Sequence, residues 1–457
     1  MKVLAVADSD SYLKWAAGLL DELPAGWTTR LTVVRTPIAP SPDQIRAAVS
    51  GTRSARGASG GGTGGAPDSD AEYGLPPAVS ARALHRMAER MRPDIVLVAC
   101  TGPVVDVLVA EVLGDLLPRP VFVTGLPGIS IPATEKAWLF RSGCDLFIVH
   151  SGREVEEFSR IGKDLGAQGS VALARLPYLD HGARGSAEPT TSRHPVPVAP
   201  HGEPGAGAAL GEVHDIGREG SDTVWGVRDR VIFATQAKVP KRREERERIL
   251  LSLAELAANR PDLKVVVKLR ARDGERQTHN ERHPYDRLWR GLVAEGRVRD
   301  GLLTFAAGPM HEHLTRAAGF VTVSSTAALE AIQHEVPLLI LSDFGVSAEM
   351  INVVFEGSDC LGTLDDLAAG RFRTPDEGWC RSNYFHDPAA NDVVAQMTAL
   401  AERSAAGLLA PARSLLDGPA HAAARRRARL RLEIPPRVLR VGYRAKRRMR
   451  RYLKALG

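Results

Sequence analysis

Apolar residues in the first 180 positions gather into short continuous runs separated by amphipathic stretches. Residues 2–7 (KVLAVA), 31–34, 94–100 (DIVLVAC), 121–124, 145–150 (DLFIVH) and 170–175 have the length and β-branched content of strands buried on both faces. Between them, residues 12–23, 41–50, 79–92, 101–117, 135–142 and 153–161 carry helical spacing, and Pro93, Pro118 and Pro120 mark helix exits. Strands alternating with helices predict a doubly wound parallel sheet. Residues 51–65 are Gly/Ser/Arg-rich with almost no apolar content, which predicts a loop.

Periodicity disappears over residues 181–222, which are rich in Pro, Gly, Ala and Ser and predict an extended linker. It then restarts. Strands are predicted at 230–235, 263–269 and 302–305, helices at 242–260, 285–294 and 310–318, and a polar loop at 270–284. A short strand at 361–363 and helices at 364–369 and 388–404 follow. The predicted fold class is α/β with two Rossmann-like doubly wound domains facing a cleft. Residues 1–180 form the first domain, 181–222 a linker, 223–405 the second domain and 406–457 a basic helical tail.

One stretch of the second domain stands out, residues 320–345 (FVTVSSTAALEAIQHEVPLLILSDFG). It predicts strand, tight turn, helix and strand, with Pro337 ending the helix. Ser324, Ser325 and Thr326 sit at the turn, where hydroxyls can cap the helix or meet a phosphate beside free N–H groups. Glu330 is four residues past Thr326, one too many for a capping box, so ribose hydroxyls are an alternative partner.

Charge changes the picture of the tail. Residues 421–457 carry 14 of the 60 Lys and Arg and one of the 54 acids, so the remainder of the chain is net −7 although the whole is +6. A nucleic-acid-binding body is therefore not indicated. Within 437–456, Val438, Val441, Ala445, Met449, Tyr452 and Leu456 fall on one helical face among arginines, the pattern of a membrane-surface helix; a solvated helix, an RNA-binding tail and a partner helix share it. Cys100, Cys144, Cys360 and Cys380 have no C-x-x-C spacing, which suggests neither zinc nor a disulfide framework and fits a reducing cytoplasm. The opening strand carries charge, and no apolar span of about 18 residues occurs, so neither a signal peptide nor a membrane-spanning helix is expected.

Ligands in open α/β sheets bind beyond the carboxyl ends of strands. The polar residues there are Asp8 and Asp10, Ser130 and Thr134, His150, Gln236 and Lys238, Lys268 and Arg270, His311, and Ser324 to Thr326. Asp10 suits a helix cap, a general base for an acceptor hydroxyl, or half of a D-x-D metal pair with no third ligand in view. Lys238, Lys268 and Arg270 suit phosphate charge, or form a solvated rim. No G-x-G-x-x-G follows the first strand, no P-loop is present, and Ser324-Ser325 lacks a G-x-S-x-G setting.

At residues 231–345 the chain resembles the C-terminal half of GT-B glycosyltransferases, through VIFATQAKVPKRREERERILLSL, LKVVVKL and VSSTAALEAIQHEVPLLILSDFG. Capsule-type enzymes (polysialyl, Kdo and CDP-glycerol polymer transferases) are the nearest likeness, together with an actinobacterial glycosyltransferase group that opens with DSDSYLKW, residues 8–15 here. The resemblance implies that Ser324, Ser325 and Thr326 hold donor phosphates and Glu330 the ribose, with neither metal nor cofactor beyond the nucleotide-sugar donor. Strand-end position and residue chemistry, apart from the resemblance, put Gln236, Lys238, Lys268, Arg270 and His311 around the nucleotide, Asp10 as catalytic base, and Ser130 and Thr134 on the acceptor side. Capsule-type enzymes carry a Lys-x-His-Pro-like segment where this chain has Lys268-Leu269-Arg270, so their cytidine nucleotide does not carry over.

The expected function is transfer of a sugar from a nucleotide-sugar donor to a cell-envelope glycan or lipid-linked acceptor. The expected setting is cytoplasmic, peripheral at the inner face of the plasma membrane through residues 421–457, with no specific nucleic-acid partner. A sugar-nucleotide epimerase and a non-catalytic nucleotide-binding protein are the alternatives.

Overall fold

The computed structural model describes residues 1–50, 52, 75–179, 228–270, 281–308 and 310–434. The predicted Gly-rich loop lies outside these residues except for Thr52, and so do the linker at 181–222 and the amphipathic face at 437–456.

The first unit opens with β1 (Lys2–Ala7), α1 (Asp10–Glu22), β2 (Thr28–Val34), α2 (Pro42–Val49), β3 (Ala78–Val79), α3 (Ala81–Met91) and β4 (Ile95–Ala99). It continues through α4 (Gly102–Val107), a π-helical turn (Leu108–Val112), β5 (Val121–Gly125), α5 (Glu135–Leu139), β6 (Leu146–Val149), α6 (Gly152–Leu165) and β7 (Ser170–Leu173). Among the described residues the sheet has seven strands, all parallel, in the order β3-β2-β1-β4-β5-β6-β7. The period-2 alternation of a strand sorts β1 between two cores: Val3, Ala5 and Ala7 face one, Leu4 and Val6 the other. Strand β3, two residues long, escapes a run-based prediction.

The second unit runs β8 (Arg230–Ala234), α7 (Arg243–Asn259), β9 (Lys264–Lys268), α8 (Tyr285–Ala294), β10 (Thr304–Ala306), α9 (Met310–Leu314) and β11 (Ala317–Thr322). Then come α10 (Ala327–Gln333), β12 (Leu338–Leu341), β13 (Leu361–Gly362), α11 (Leu364–Ala368) and α12 (Glu377–Ser382). The sheet order is β10-β9-β8-β11-β12-β13, again parallel throughout. The helix expected over 310–318 is shorter, because β11 begins at Ala317 and pairs there with Arg230.

Two segments cross between the units. Ile131, Leu176 and Leu179 of the first unit are buried in one core with Phe320, Leu329, Trp379 and Tyr384 of the second. Helix α13 (Val393–Ala405) follows the second unit in sequence, yet it packs on β5, β6 and β7 of the first sheet, with Val393, Met397 and Ala401 buried in that unit's core. Removing one such side chain from water stabilises by about 1.5–3 kcal/mol, enough in sum to hold the returning helix. Helix α14 (Pro419–Glu433) follows it home, burying Ala428 and Leu432 against the α4 side of that unit. Its Arg425 grips the buried Asp106 with two hydrogen bonds, at 2.7 and 2.8 Å, and Arg429 reaches Glu111 at 2.8 Å. Part of the positive charge of 421–457 is therefore engaged by carboxylates of the first unit. No helix among the described residues is long and apolar enough to cross a membrane.

Candidate active site

In each sheet the strand order reverses beside its first strand, and the two chains leaving that point diverge to make a crevice. In the second sheet the point lies between β8 and β11. Gln236 leaves β8, Ser324 leaves β11, and the Ser324 N–H donates to Gln236 Oε1 at 2.7 Å. In the first sheet it lies between β1 and β4, where the Thr101 N–H donates to Asp8 Oδ2 at 3.0 Å and the Thr101 hydroxyl at 2.5 Å. Burial pushes the Asp8 carboxyl above the usual carboxylate range, with the Thr101 hydrogen bonds opposing it. Asp8 is fully buried and does not line the cleft, so it braces the strand ends.

The carboxyl ends of both sheets open on a cleft of about 990 Å³. From the second unit Gln236, Lys238, Lys268, Arg270 and His311 reach it, as do Ser324, Ser325, Thr326 and Glu330; Asp10 reaches it from the first. These ten expected residues therefore converge. Their local states differ from the expectations in three places.

Asp10 is not the cap of α1. Ser9 occupies that position, and Asp10 is the first helical residue. Its Oδ2 accepts from Lys14 Nζ at 2.9 Å, while its Oδ1 is buried without a hydrogen-bond partner among the described residues. Ser324 is engaged within the protein, since its N–H goes to Gln236 and its hydroxyl donates to the Ile351 carbonyl. The Ser325 Oγ accepts the Ala327 N–H at 3.2 Å, and the N–H groups of Ser325 and Thr326 make no hydrogen bond among the described residues. Helix α10 has only seven residues, so those two N–H groups and the neighbouring cations, rather than a long helix dipole, supply the attraction for an anion.

Ser130 and Thr134 do not line the cleft. The Ser130 N–H donates to Glu154 at 2.8 Å and its hydroxyl to the Gly128 carbonyl at 3.0 Å, while Thr134 caps α5. Both shape the loop after β5. His150 is also structural. It is fully buried, Trp15 Nε1 donates to its Nε2 at 2.8 Å, and its Nδ1 lies 2.8 Å from the Ala174 carbonyl. Nε2 also lies 2.9 Å from the Leu126 carbonyl, but the Trp15 indole N–H can only donate, so Nε2 accepts from it and Nδ1 carries the proton; burial pushes the imidazole pKa down to about 4.

Tyr178 and Lys14 were missed. Tyr178 lines the cleft beside Thr326 of the other unit, and its hydroxyl donates to the Pro127 carbonyl at 3.5 Å. A Cβ added at Gly128 would stand 2.9 Å from Thr326 Oγ1, so these loops meet closely. The signal for Tyr178 was its place just beyond the last strand of the first unit; Lys14, one helical turn past Asp10, was legible only with Asp10 oriented. Among the described residues no three His, Cys, Asp or Glu gather in a way that could hold a metal ion.

Solved structures share this architecture. The S. aureus MnaA–UDP structure aligns with TM-score 0.50 and 12% identity, covering 89% of this chain and 97% of that one. A UDP-GlcNAc 2-epimerase from Neisseria meningitidis bound to UDP-GlcNAc aligns at 0.49 and 12% identity, over 87% and 100%. One from Methanocaldococcus jannaschii with UDP-GlcNAc and UDP aligns at 0.48 and 9%, over 87% and 99%. At 12% identity the likeness to the S. aureus structure shows the two-domain Rossmann-like fold alone. No curated protein matches the chain. Residues 3–400 match the model of the family described as "Putative glycosyltransferase (DUF6716)", and the chain belongs to that family.

Proposed function

We propose that this glycosyltransferase-family chain moves a sugar from a nucleotide-sugar donor onto a hydroxyl of a cell-envelope glycan or lipid-linked acceptor, without a metal or other cofactor. The observation that carries the reading is one cleft with two chemically different walls. On the second unit, Lys238, Lys268 and Arg270 stand with the unpaired N–H groups of Ser325 and Thr326. On the first, the Asp10 carboxylate lines the cleft, and its buried Oδ1 has no hydrogen-bond partner among the described residues. The cationic wall suits the phosphates, with Gln236 and His311 beside them and Glu330 toward the ribose hydroxyls. Lys14 holds Asp10 Oδ2, and because Oδ1 is occluded from solvent, an acceptor hydroxyl reaches the carboxylate with a turn of the Asp10 side chain.

In the transfer, Asp10 takes the acceptor proton as that oxygen bonds to the anomeric carbon. The bond from the anomeric carbon to the phosphate oxygen breaks, and its electron pair leaves with the nucleotide. Donors already aimed at that oxygen stabilise the charge as it develops.

Calorimetry with a panel of nucleoside mono- and diphosphates tests the donor half. UDP comes first, because the S. aureus MnaA structure, whose fold this chain shares, is a UDP complex. One nucleotide is expected to bind, and Ser325→Ala with Glu330→Ala to weaken it; no binding, or no change, removes the assignment. Product analysis with a labelled donor separates transfer from epimerisation, in which no acceptor is consumed. For residues 421–457 the reading is reversible contact with an anionic inner membrane surface, since basic residues near such a surface contribute roughly 1 kcal/mol each. Equal co-sedimentation with anionic liposomes after deletion of 435–457 would remove it.

A further inference from the structure

Arg246 is 1% exposed, does not line the cleft, and lies on α7 behind the loop that leaves β8. All five of its guanidinium protons are used. Nε donates to the Pro240 carbonyl at 2.9 Å, and Nη1 to the His283 carbonyl at 2.8 Å and to the Glu281 carboxylate. Nη2 donates to the carbonyls of Gln236 at 2.9 Å and Ala237 at 3.0 Å. The guanidinium packs on the Tyr285 ring, 4.8 Å from its centroid, and Tyr285 is itself buried edge-on against Phe233.

Neutralising Glu281 would need one ion pair. Here four of the five acceptors are backbone carbonyls, and three of them come from the single loop after β8. Carbonyls in such a loop have no ladder partners, and a rigid fork of five donors holds them in one arrangement. That same loop delivers Gln236 and Lys238 to the cleft, and the Gln236 amide oxygen fixes the Ser324 turn. Glu281 and the His283 carbonyl connect the start of α8 to the same cation.

We propose that Arg246 is the positioning residue of the donor wall: without touching the donor, it sets the places of Gln236 and Lys238, and through Gln236 the Ser325–Thr326 turn, by clamping the carbonyls of the loop after β8. The proposal rests on the reading of that wall as a nucleotide site. Lysine has three tetrahedral donors and cannot reproduce the clamp.

The test is nucleotide calorimetry together with hydrogen–deuterium exchange on the full chain, for the unaltered protein, Arg246→Lys, Gln236→Ala, the double variant and Glu281→Gln. Arg246→Lys is expected to raise the Kd of the bound nucleotide about tenfold or more and to speed exchange at residues 236–241, with exchange in β11 unchanged. Gln236→Ala is expected to cost much less in the Arg246→Lys background than alone, because both act through one loop. Unaltered Kd and exchange in Arg246→Lys, or losses that multiply as independent, overturn the proposal. Should Arg246→Lys not fold, Glu281→Gln keeps the guanidinium and removes the charge from one acceptor; a several-fold Kd rise supports the clamp and an unchanged Kd overturns it. If the unaltered protein binds no nucleotide in the panel, the donor reading fails, and exchange at 236–241 alone decides the clamp.

Discussion

Ser324 and Gln236, 88 residues apart, meet through a 2.7 Å hydrogen bond from the Ser324 N–H to Gln236 Oε1. The bond closes the point where the second sheet reverses its strand order, so one amide oxygen joins the two halves of the candidate phosphate wall. Asp8 and Thr101, 93 residues apart, make the corresponding bridge in the first sheet. Gln236→Ala is expected to weaken nucleotide binding about tenfold by calorimetry, the scale of one hydrogen bond at a site that must be preorganised. An unchanged Kd would mean that the turn holds its shape without the bridge.

Asp10→Asn keeps the size of the side chain and removes the base. With a labelled donor and saturating acceptor, kcat is expected to fall by about 10²–10⁴ while donor KM changes little. Retained kcat would assign the proton to another group.

Gly128→Ala is expected to disturb the meeting of the two units, because the new methyl would stand 2.9 Å from Thr326 Oγ1 and 3.6 Å from the Tyr178 hydroxyl. A lower melting temperature and weaker nucleotide binding should follow. Adding Thr326→Ala removes the obstructing atom and should recover the melting temperature; no recovery would place the strain elsewhere.

Arg425→Ala is expected to destabilise the chain by about 3–5 kcal/mol in urea titration, since it strands Asp106, whose side chain is 4% exposed, without its cation. Such a loss is far above the ~0–1 kcal/mol of an exposed pair, and it should change little with added salt. A loss under about 1 kcal/mol would mean that α14 is only loosely held.

His150 sets an acid limit. Its folded pKa is pushed down to about 4 against an ordinary value near 6.5, so the unfolded chain binds the proton first. The stability it contributes is therefore complete above pH 6.5 and is lost as pH falls from 6.5 to 4, about 3 kcal/mol in all. Urea midpoints measured across that range should fall less steeply in His150→Asn than in the unaltered protein; parallel curves would refute the assignment.

Much of this was legible in the chain, because strand runs and helix spacing are local. The apolar run 230–235 falls on β8, and residues 285–294 coincide with α8. The strand-end rule also brought nine of the expected site residues to one cleft, since it depends only on parallel strands ending on the same side. Orientation and partnership were not legible. Ser324, Ser325 and Thr326 are alike as letters, but only contacts with Gln236 and Ile351 show that Ser324 is engaged while the next two N–H groups stay unpaired. For Ser130 and Thr134, likewise, only the structure shows the partners, Glu154 and the start of α5.

The sequence by itself determined two doubly wound sheets, the position of their strand ends and the uneven placement of charge, because each follows from short-range periodicity and composition. Tertiary structure alone decided that α13 returns to the first sheet, that Arg425 faces Asp106, and that Asp10 keeps an oxygen unpartnered while Arg246 has no donor left. Those outcomes depend on partners from 4 to 319 residues away, and which partner a polar group meets is set by the packing of the apolar faces around it.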